Sequence, residues 1–522
     1  MEQEYPFKRS IYYKVLKALC KSRVVFLLGP RKCGKSVCLD QLHKNVPSSK
    51  YYDISKYRDY DREALCDQIE IELTSGKYPL VLIDEITKVD CFYTHVQRFV
   101  RAVNDSSIAK TRVVITGSQS YSLARVGGVS TAGDGGYVTD EFLSYSDWLR
   151  WKGEQACEKS FKEFVCGTRS FYRNFATVND YLTGCLDETV ISNANIGMPI
   201  YHNSCSSISV QFLLNTLYGA MLSLNGNERL QTFYDWSRLY NTLRATQPKE
   251  VQKEGRTNIL DRINKLLHNH LTTYQKADIS TIMEALIFLH NCGLIHMVSE
   301  GTIDEYFPVL QELKAENPLH IHKKEDIFLK VNIILKYPMF YIDLVKEALG
   351  VSMPQTIDNN LLGRIYECYV RSYLDEYNGH VYRSNNKKEV DYIDTLRHTA
   401  VEMSVDYKQI RDTVLLDFGD AYAKYLLGSG PTKRDKQVFR VNCYEYIKYL
   451  CDLSDNPLMF TNDGKLIVAS VKDIELYCQQ NRIEMSEFNQ PILLCWGSDP
   501  LAIRAACPKF NWSNLSIQTF KE

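Results

Sequence analysis

The chain carries one short motif, GPRKCGKS at residues 29–36, that is compatible with few folds. An apolar run, Val24–Leu28, comes directly before it and predicts a buried parallel strand. An amphipathic pattern from about Val37 predicts a helix directly after it. Glycines let the backbone bend until successive N–H groups face one centre, and a helix N-terminus adds partial positive charge. The order strand, loop and helix therefore predicts a site for the phosphates of a nucleotide.

Two side chains of this loop have expected roles. We expect Lys35 to reach the β- and γ-phosphates of ATP, and the Ser36 hydroxyl to bind Mg²⁺. ATP and Mg²⁺ are therefore the expected ligands. The other residues predicted to bind nucleotide are Gly29, Pro30, Arg31, Lys32, Cys33, Gly34 and Val37.

A second motif adds two acids further along the chain. Four apolar residues at 80–83 predict a buried strand, and Asp84 and Glu85 follow it. Asp84 stands where a carboxylate would hold Mg²⁺. Glu85 stands where a base would polarise the attacking water, so we expect Glu85 and Lys35 to be catalytic.

A third apolar strand, within RVVITGSQS at residues 112–120, ends in Thr116, Gly117 and Ser118. A polar side chain at this point, on a strand beside the other two, could contact the γ-phosphate or the attacking water. Ser118 is the preferred sensor of the γ-phosphate, and Thr116 is the alternative.

These segments together resemble a family of bacterial and archaeal AAA-type ATPases. The phosphate loop of that family is commonly GPRQVGKT, its acidic strand ends in DEIQ, and its sensor strand ends in TGS. This chain has GPRKCGKS, VLIDEITK and ITGSQS at the corresponding places. The resemblance implies an α/β P-loop NTPase core with a mostly parallel sheet over residues 1–150. It also implies an enzyme that hydrolyses ATP with Mg²⁺.

The chain departs from the family pattern at three places. Cys33 stands where a small or aliphatic residue is usual, and could make nucleotide binding sensitive to oxidation. Thr87 stands where glutamine is usual. The family has a Gly-Arg pair before its EFL segment, and residues 133–142, GDGGYVTDEF, lack it. If that arginine contacts nucleotide, its loss would slow turnover, so a nucleotide-gated interaction switch with slow hydrolysis is the first alternative function.

More loosely, the resemblance extends beyond residue 150. It implies a helical lid or connector at residues 151–250, a winged-helix region at 251–345 and a restriction-nuclease-like α/β domain at 346–450. The remaining residues, 451–522, show a strand–helix–strand order and could complete the preceding domain. A partner, either DNA or protein, would contact the winged-helix and C-terminal domains, and a homo-oligomer is compatible with the family.

The segment KKEVDYIDTLRHTAVEMSV, residues 387–405, predicts two strands joined by a turn. It carries Asp391 and Glu402, and a predicted helix upstream carries Glu367. Such carboxylates could converge on a metal ion. Nucleases of this type carry a lysine two residues after the glutamate, where this chain has Ser404. We interpret the three acids as an inactive remnant, and DNA processing by a nuclease is the second alternative function.

Composition limits the remaining classes of function. The formal net charge is −1, so any contact with nucleic acid requires a local basic face. The first ten residues, MEQEYPFKRS, have no apolar core typical of a secretory signal. The 16 cysteines include no Cys-x-x-Cys pair, which predicts reduced thiols and no zinc site. We therefore expect a cytoplasmic protein without a membrane span.

Overall fold

The computed structural model divides the chain into two compact units, Met1–Asp147 with Asp452–Glu522, and Trp148–Cys451. Among the described residues, no helix is both long and apolar enough to cross a lipid bilayer. The structure describes residues 7–105, 110–120, 122–123, 126–127, 136–139, 142–167, 180–181, 183–184, 213, 216–217, 285–286, 289, 294–301, 331–337, 359–373, 379–383, 389–394, 398–403, 422–428, 433–435 and 438–517.

The first unit is built on a five-stranded sheet in which every neighbouring pair of strands is parallel. The strand order is β2-β3-β4-β1-β5, which confirms the parallel α/β core expected from the sequence. Its strands are β1 (Val24–Leu28), β2 (Lys50–Asp53), β3 (Leu80–Asp84), β4 (Arg112–Thr116) and β5 (Gly136–Thr139).

Burial explains why the central strands form where they do. All five residues of β1 and of β3 are buried, as expected for strands of a parallel sheet that is covered on both faces. The fourth helix of this core places its buried residues Phe92, Val96, Phe99 and Val103 at helical spacing. The helices of this part are α1 (Ser10–Lys21), α2 (Lys35–Asn45), α3 (Asp59–Ser75) and α4 (Phe92–Asp105).

The second unit contains an eight-stranded mixed sheet. Its strand order is β12-β13-β11-β10-β9-β8-β6-β7. The strands are β6 (Ile295–Gly301), β7 (Val331–Leu335), β8 (Gly379–Arg383), β9 (Glu389–Asp394), β10 (Thr399–Met403), β11 (Ala423–Gly428), β12 (Lys433–Asp435) and β13 (Val438–Asn442). Four helices are described between β5 and the C-terminal sheet. They are α5 (Tyr145–Lys152), α6 (Glu158–Gly167), α7 (Asn359–Ser372) and α8 (Cys443–Asp455).

Two sequence predictions fall on this sheet. Strands β9 and β10 pair antiparallel from Asp394 and Thr399, which confirms the two predicted strands. Strand β6 pairs in parallel with β8 at Ser299 and His380, so strands on both sides of the predicted boundary at residue 345 share one sheet. Most of the expected helical lid and most of the expected winged helix lie outside the described residues.

The end of the chain forms a third sheet within the first unit. Strands β14 (Leu466–Val468), β15 (Ile492–Leu494) and β16 (Leu515–Ile517) are parallel neighbours in that order. Helices α9 (Val471–Asn481) and α10 (Pro500–Ala506) connect them. This arrangement differs from the suggestion that residues 451–522 complete the preceding domain, because the three strands pair with one another and pack on α1.

An apolar core joins this small sheet to the five-stranded sheet and its helices. Ile467, Ala469 and Cys495 belong to the same buried cluster as Leu16 and Leu19 of α1. Burial of large apolar side chains contributes roughly 1.5–3 kcal/mol each to folding. The final strands of the chain therefore stabilise the helix that precedes β1.

A buried ion pair reinforces this contact. Lys17 of α1 bonds to Asp473 of α9, and both side chains are completely buried. The Lys17 ammonium also donates to Asn456 Oδ1 and to the Pro457 carbonyl, each at 3.0 Å. Asp473 Oδ2 accepts the backbone N–H groups of Ala469 and Ser470. Every charged group here has hydrogen-bond partners, as a buried pair requires.

We predict that Lys17→Met destabilises the contact between α1 and the C-terminal sheet by about 3–5 kcal/mol, because it leaves Asp473 buried without its cation. Native-state hydrogen–deuterium exchange across α1 and β14 measures this loss as faster local opening. The control is Lys44→Met, whose ion pair with Asp40 on α2 is partly exposed and should contribute only about 0.3–0.5 kcal/mol. Equal effects of the two variants would contradict the prediction.

Candidate active site at the carboxyl edge of the parallel sheet

The GPRKCGKS segment forms a tight loop between β1 and α2, which confirms the predicted strand and helix. Helix α2 begins at Lys35, two residues before the start expected from the apolar pattern. Gly29 and Gly34 have φ values of 140° and 114°, which side chains rarely allow. Lys32 also has a positive φ, 64°. These conformations turn the backbone back on itself directly beyond β1.

The predicted phosphate-binding lysine is bonded to its own loop. Lys35 is buried, and its ammonium donates to the carbonyls of Gly29 and Pro30, each at 2.9 Å. A buried ammonium needs acceptors, and these two carbonyls supply them. The same ammonium lies 3.8 Å from the Cys33 sulfur, so the unusual cysteine of the loop lies directly beside the lysine.

The loop and the predicted acids lie at one edge of the sheet. Strands β1, β4 and β3 are parallel neighbours, with β4 in the middle. Their carboxyl ends therefore meet at the same edge. Leu28 ends β1 and Asp84 ends β3, so the structure brings the loop and the acidic pair together.

Asp84 is buried at this edge and accepts hydrogen bonds from two hydroxyl groups. Ser36 donates one of them, and Tyr51 donates the other to Oδ2 at 2.9 Å. Burial raises the pKa of Asp84 above its ordinary value, with a further rise from the charge of Glu85, while the bonds from Ser36 and Tyr51 oppose the rise. The structure thus brings together Ser36 and Asp84, the two residues that the sequence predicts as Mg²⁺ ligands.

Glu85 is held by the end of β4. Its Oε2 accepts the backbone N–H of Ser118 at 3.1 Å and the Ser118 hydroxyl at 2.5 Å. Glu85 itself has a φ of 56°, a conformation uncommon for a residue with a side chain. The structure therefore places Ser118, the preferred sensor, against the predicted base.

Thr116 is placed differently. Its side chain is completely buried, and its hydroxyl donates to the Leu27 carbonyl at 2.7 Å across the β4–β1 pair. This bond links the two strands inside the sheet. A side chain in that position supports the sheet, so the geometry favours Ser118 over Thr116 as the polar group that faces the site.

Two residues that the sequence did not single out, Ser120 and Arg9, hold the loop. The Ser120 hydroxyl accepts the Gly29 N–H at 2.8 Å and donates to the Gly29 carbonyl at 2.6 Å. The Arg9 guanidinium donates to the Cys33 carbonyl at 2.5 Å and lies 3.7 Å from Asp147. The polar segment SQS after β4 was the available signal for Ser120, whereas no motif pointed to Arg9.

Thr87, which departs from the family pattern, lies close to Gly117 at the end of β4. A Cβ added to Gly117 would lie 2.7 Å from the Thr87 side chain, so glycine is needed at the end of β4. Gln119 bonds to the Thr87 carbonyl at 3.4 Å. The residue that replaces the usual glutamine thus packs against the segment that carries Ser118.

Two acids of the second unit, Glu367 and Asp391, lie beside a cation that the sequence did not predict, and the third, Glu402, lies near Asp391. Arg371 is buried. Its guanidinium lies 3.5 Å from Asp391 Oδ1 and 4.0 Å from Glu367 Oε2. Burial raises the pKa of Asp391 well above its ordinary value, with further rises from Glu402 and Glu367, and Arg371 opposes them. Ser404 lies outside the described residues.

This cluster differs from a metal centre in its donor set. Asp391 Oδ2 accepts the Met403 N–H at 2.7 Å, and the Arg371 Nε donates to the Asp391 carbonyl at 3.1 Å. Across the part of the chain that the structure describes, no three His, Cys, Asp or Glu side chains are arranged to hold a metal ion. Arg371 thus supplies positive charge to Glu367 and Asp391 from within the protein.

Comparison with known proteins assigns the N-terminal region. Residues 21–148 match the AAA domain family. This region is an AAA-type P-loop ATPase domain. It includes the loop, both acids and the segment that carries Ser118. No curated protein matches the chain.

Similar solved structures share little sequence with the chain. The Walker-type ATPase of Pyrococcus abyssi is 14% identical, with a TM-score of 0.31, over 65% of this chain and 95% of that chain. A DNA replication initiation factor is 13% identical, with a TM-score of 0.23, over 53% and 80%. DnaA from Aquifex aeolicus, bound to AMPPCP, is 9% identical, with a TM-score of 0.23, over 54% and 85%.

The two candidate sensor residues can be separated by mutation. We predict that Thr116→Val costs about 1–3 kcal/mol of stability, because it removes the buried hydrogen bond from the Thr116 hydroxyl to the Leu27 carbonyl, and preserves ATP turnover per folded molecule. Ser118→Ala should leave stability nearly unchanged and lower kcat about tenfold. A positioned base accelerates a reaction by about 10²–10⁴-fold, and the loss of one bond to Glu85 should remove only part of this acceleration. Urea unfolding and steady-state ATP hydrolysis measure both effects. The reverse pattern would assign the sensor role to Thr116.

Proposed function

We propose that this chain is a Mg²⁺-dependent ATPase whose catalytic site is the carboxyl edge of the five-stranded sheet. One observation supports the proposal most strongly. The phosphate loop, Asp84 and Glu85 come from separate parts of the chain and meet at one edge, with the strand that leads to Ser118 between them. The match of residues 21–148 to the AAA domain family supports the same function.

The proposed division of roles follows from the contacts. Lys35 and the backbone N–H groups of residues 29–36 bind the phosphates. The Lys35 ammonium already donates to two loop carbonyls. On binding of ATP, phosphate oxygens would take the place of these carbonyl oxygens as acceptors. Glu85 accepts a proton from the attacking water, and Ser118 orients Glu85 through its hydroxyl.

The residues at the edge fit a magnesium ion. The Ser36 hydroxyl and the Asp84 carboxylate are bonded to each other, and both are hard oxygen ligands of the kind that Mg²⁺ prefers. Magnesium at phosphate sites is commonly held by one or two protein oxygens together with phosphate oxygens and water. When bound, the ion neutralises charge on the β- and γ-phosphates.

We predict that Lys35→Ala lowers kcat by about 10²–10³-fold, because a charged donor to the transferred phosphoryl group is lost. Glu85→Gln should keep ATP binding and lower hydrolysis by about 10²–10⁴-fold. Phosphate release and equilibrium binding of ATP measure the two effects. Lys44→Ala, an exposed lysine on the same helix, is the matched control. Wild-type protein that neither binds nor hydrolyses ATP would refute the function.

A nucleotide-gated switch with slow hydrolysis is a second candidate. Two bonds from Ser118 hold Glu85, and residues 133–142 lack the Gly-Arg pair of the related family. Under this alternative, one bound ATP is hydrolysed slowly and the nucleotide state controls a partner. Rapid multiple-turnover hydrolysis by the isolated protein would contradict it.

The partner of this ATPase is proposed to be DNA or another protein, bound through residues 251–450. Because the net charge is only −1, DNA binding would depend on a local basic face. DNA that stimulates ATP hydrolysis, with an effect that falls steeply as salt rises, would identify nucleic acid as the partner. Sedimentation with and without ATP tests whether the chain forms a homo-oligomer.

DNA cleavage by the second unit is the weaker proposal. Arg371 lies beside Glu367 and Asp391, so these two acids are already neutralised in part by a side chain. We predict that supercoiled plasmid stays intact with Mg²⁺ or Mn²⁺, with or without ATP. Nicking that Asp391→Asn abolishes would contradict this expectation.

A further inference from the structure

Tyr51 lies beside the proposed magnesium ligand. It is the second residue of β2, which pairs in parallel with β3 so that Tyr51 stands opposite Leu82 and Asp53 stands opposite Asp84. From there its hydroxyl reaches Asp84 Oδ2 at 2.9 Å. The contact therefore joins an edge strand of the sheet to the acid at the end of β3.

The two donors on Asp84 come from different sides. Ser36 lies at the start of α2, directly after the phosphate loop. Tyr51 comes from β2. A carboxylate that accepts hydrogen bonds from two fixed elements has little freedom to rotate. Carboxylates that bind metal ions are commonly oriented in this way by a second layer of hydrogen bonds.

We propose that Tyr51 is a positioning residue, which orients Asp84 and thereby sets the affinity of the nucleotide site for Mg²⁺. The inference rests on the proposed ATPase function and deepens it. Tyr51 itself does not contact the phosphates. It acts through Asp84, so its effect should appear in the dependence on metal rather than in the binding of nucleotide without metal.

The surroundings of Tyr51 allow a clean test. Its ring packs against the buried core of the first unit and lies 6.0 Å from the His43 ring, centroid to centroid. Phenylalanine keeps the ring and removes only the hydroxyl. Tyr51→Phe should therefore preserve the packing of β2 and lose one hydrogen bond.

The next residue is a matched control. Successive side chains of a strand point to opposite faces, and the Tyr52 hydroxyl bonds to Glu72 on α3 rather than to Asp84. Tyr52→Phe thus removes the same hydroxyl from the same strand without touching the site. Asp84→Asn serves as the positive control, because it alters the proposed ligand itself.

The experiment measures binding of a fluorescent ATP analogue to the full chain, first in EDTA and then across a titration of Mg²⁺. Mg²⁺ should change the binding of the analogue, and we expect Tyr51→Phe to raise the Mg²⁺ concentration that gives half of this change by about 10–100-fold. A loss of this size is typical when a hydrogen bond to a metal ligand is removed. Affinity in EDTA should equal that of wild type. Tyr52→Phe should match wild type in both conditions.

Two results would overturn the inference while leaving the ATPase intact. One is an unchanged Mg²⁺ dependence in Tyr51→Phe. The other is an equal shift in Tyr52→Phe, which would show a general effect of β2. If wild-type protein binds no nucleotide in either condition, the proposed function fails and the role of Tyr51 fails with it.

Discussion

The parallel pairing of β1, β4 and β3 is the constraint on which the candidate site depends. Leu27 pairs with Thr116, and Ile83 pairs with Ile115, so the three strands end almost level. The residues just beyond those ends then form the site. A shift of one residue in any pair would turn the side chains of that strand to the opposite face. Because β1 and β3 are buried on both faces, such a shift would force side chains of different shape into close-packed surroundings, which is costly.

Helix α1 connects the phosphate loop with the end of the chain. Near its start, the Ser10 N–H and hydroxyl donate to Asp147, which also lies beside the arginine that bonds the Cys33 carbonyl. Near its end, Lys17 bonds to Asp473. The C-terminal sheet therefore supports the same helix that borders the loop, which gives residues 452–517 a structural role in the ATPase half of the molecule.

The sequence predicts the parts of the site that are local in the chain. The strand before the loop, the helix after it and the Asp84–Glu85 pair follow from continuous apolar runs and one motif, because neighbouring residues specify them. Tyr51 and Ser120 could not be predicted in this way. They reach their partners across 33 and 91 residues of chain, and only the register of the sheet brings them together.

The C-terminal region shows the same limit. Its strands β14, β15 and β16 have three residues each, too few for a pattern of alternation to show which sheet they join. Arg371 was missed for a different reason. It stands on the same helix as Glu367, four residues later, and sequence spacing alone does not show that it turns toward Asp391.

Hydrogen–deuterium exchange with and without a non-hydrolysable ATP analogue and Mg²⁺ tests the location of the site most directly. Bound phosphates should slow exchange in residues 29–36 and at the ends of β3 and β4, because the loop N–H groups gain acceptors and the edge loses contact with water. Exchange should change little in the C-terminal sheet. It should also change little in the residues of β2 that follow Tyr51. Unchanged exchange in residues 29–36 under saturating nucleotide would contradict a nucleotide site at this edge.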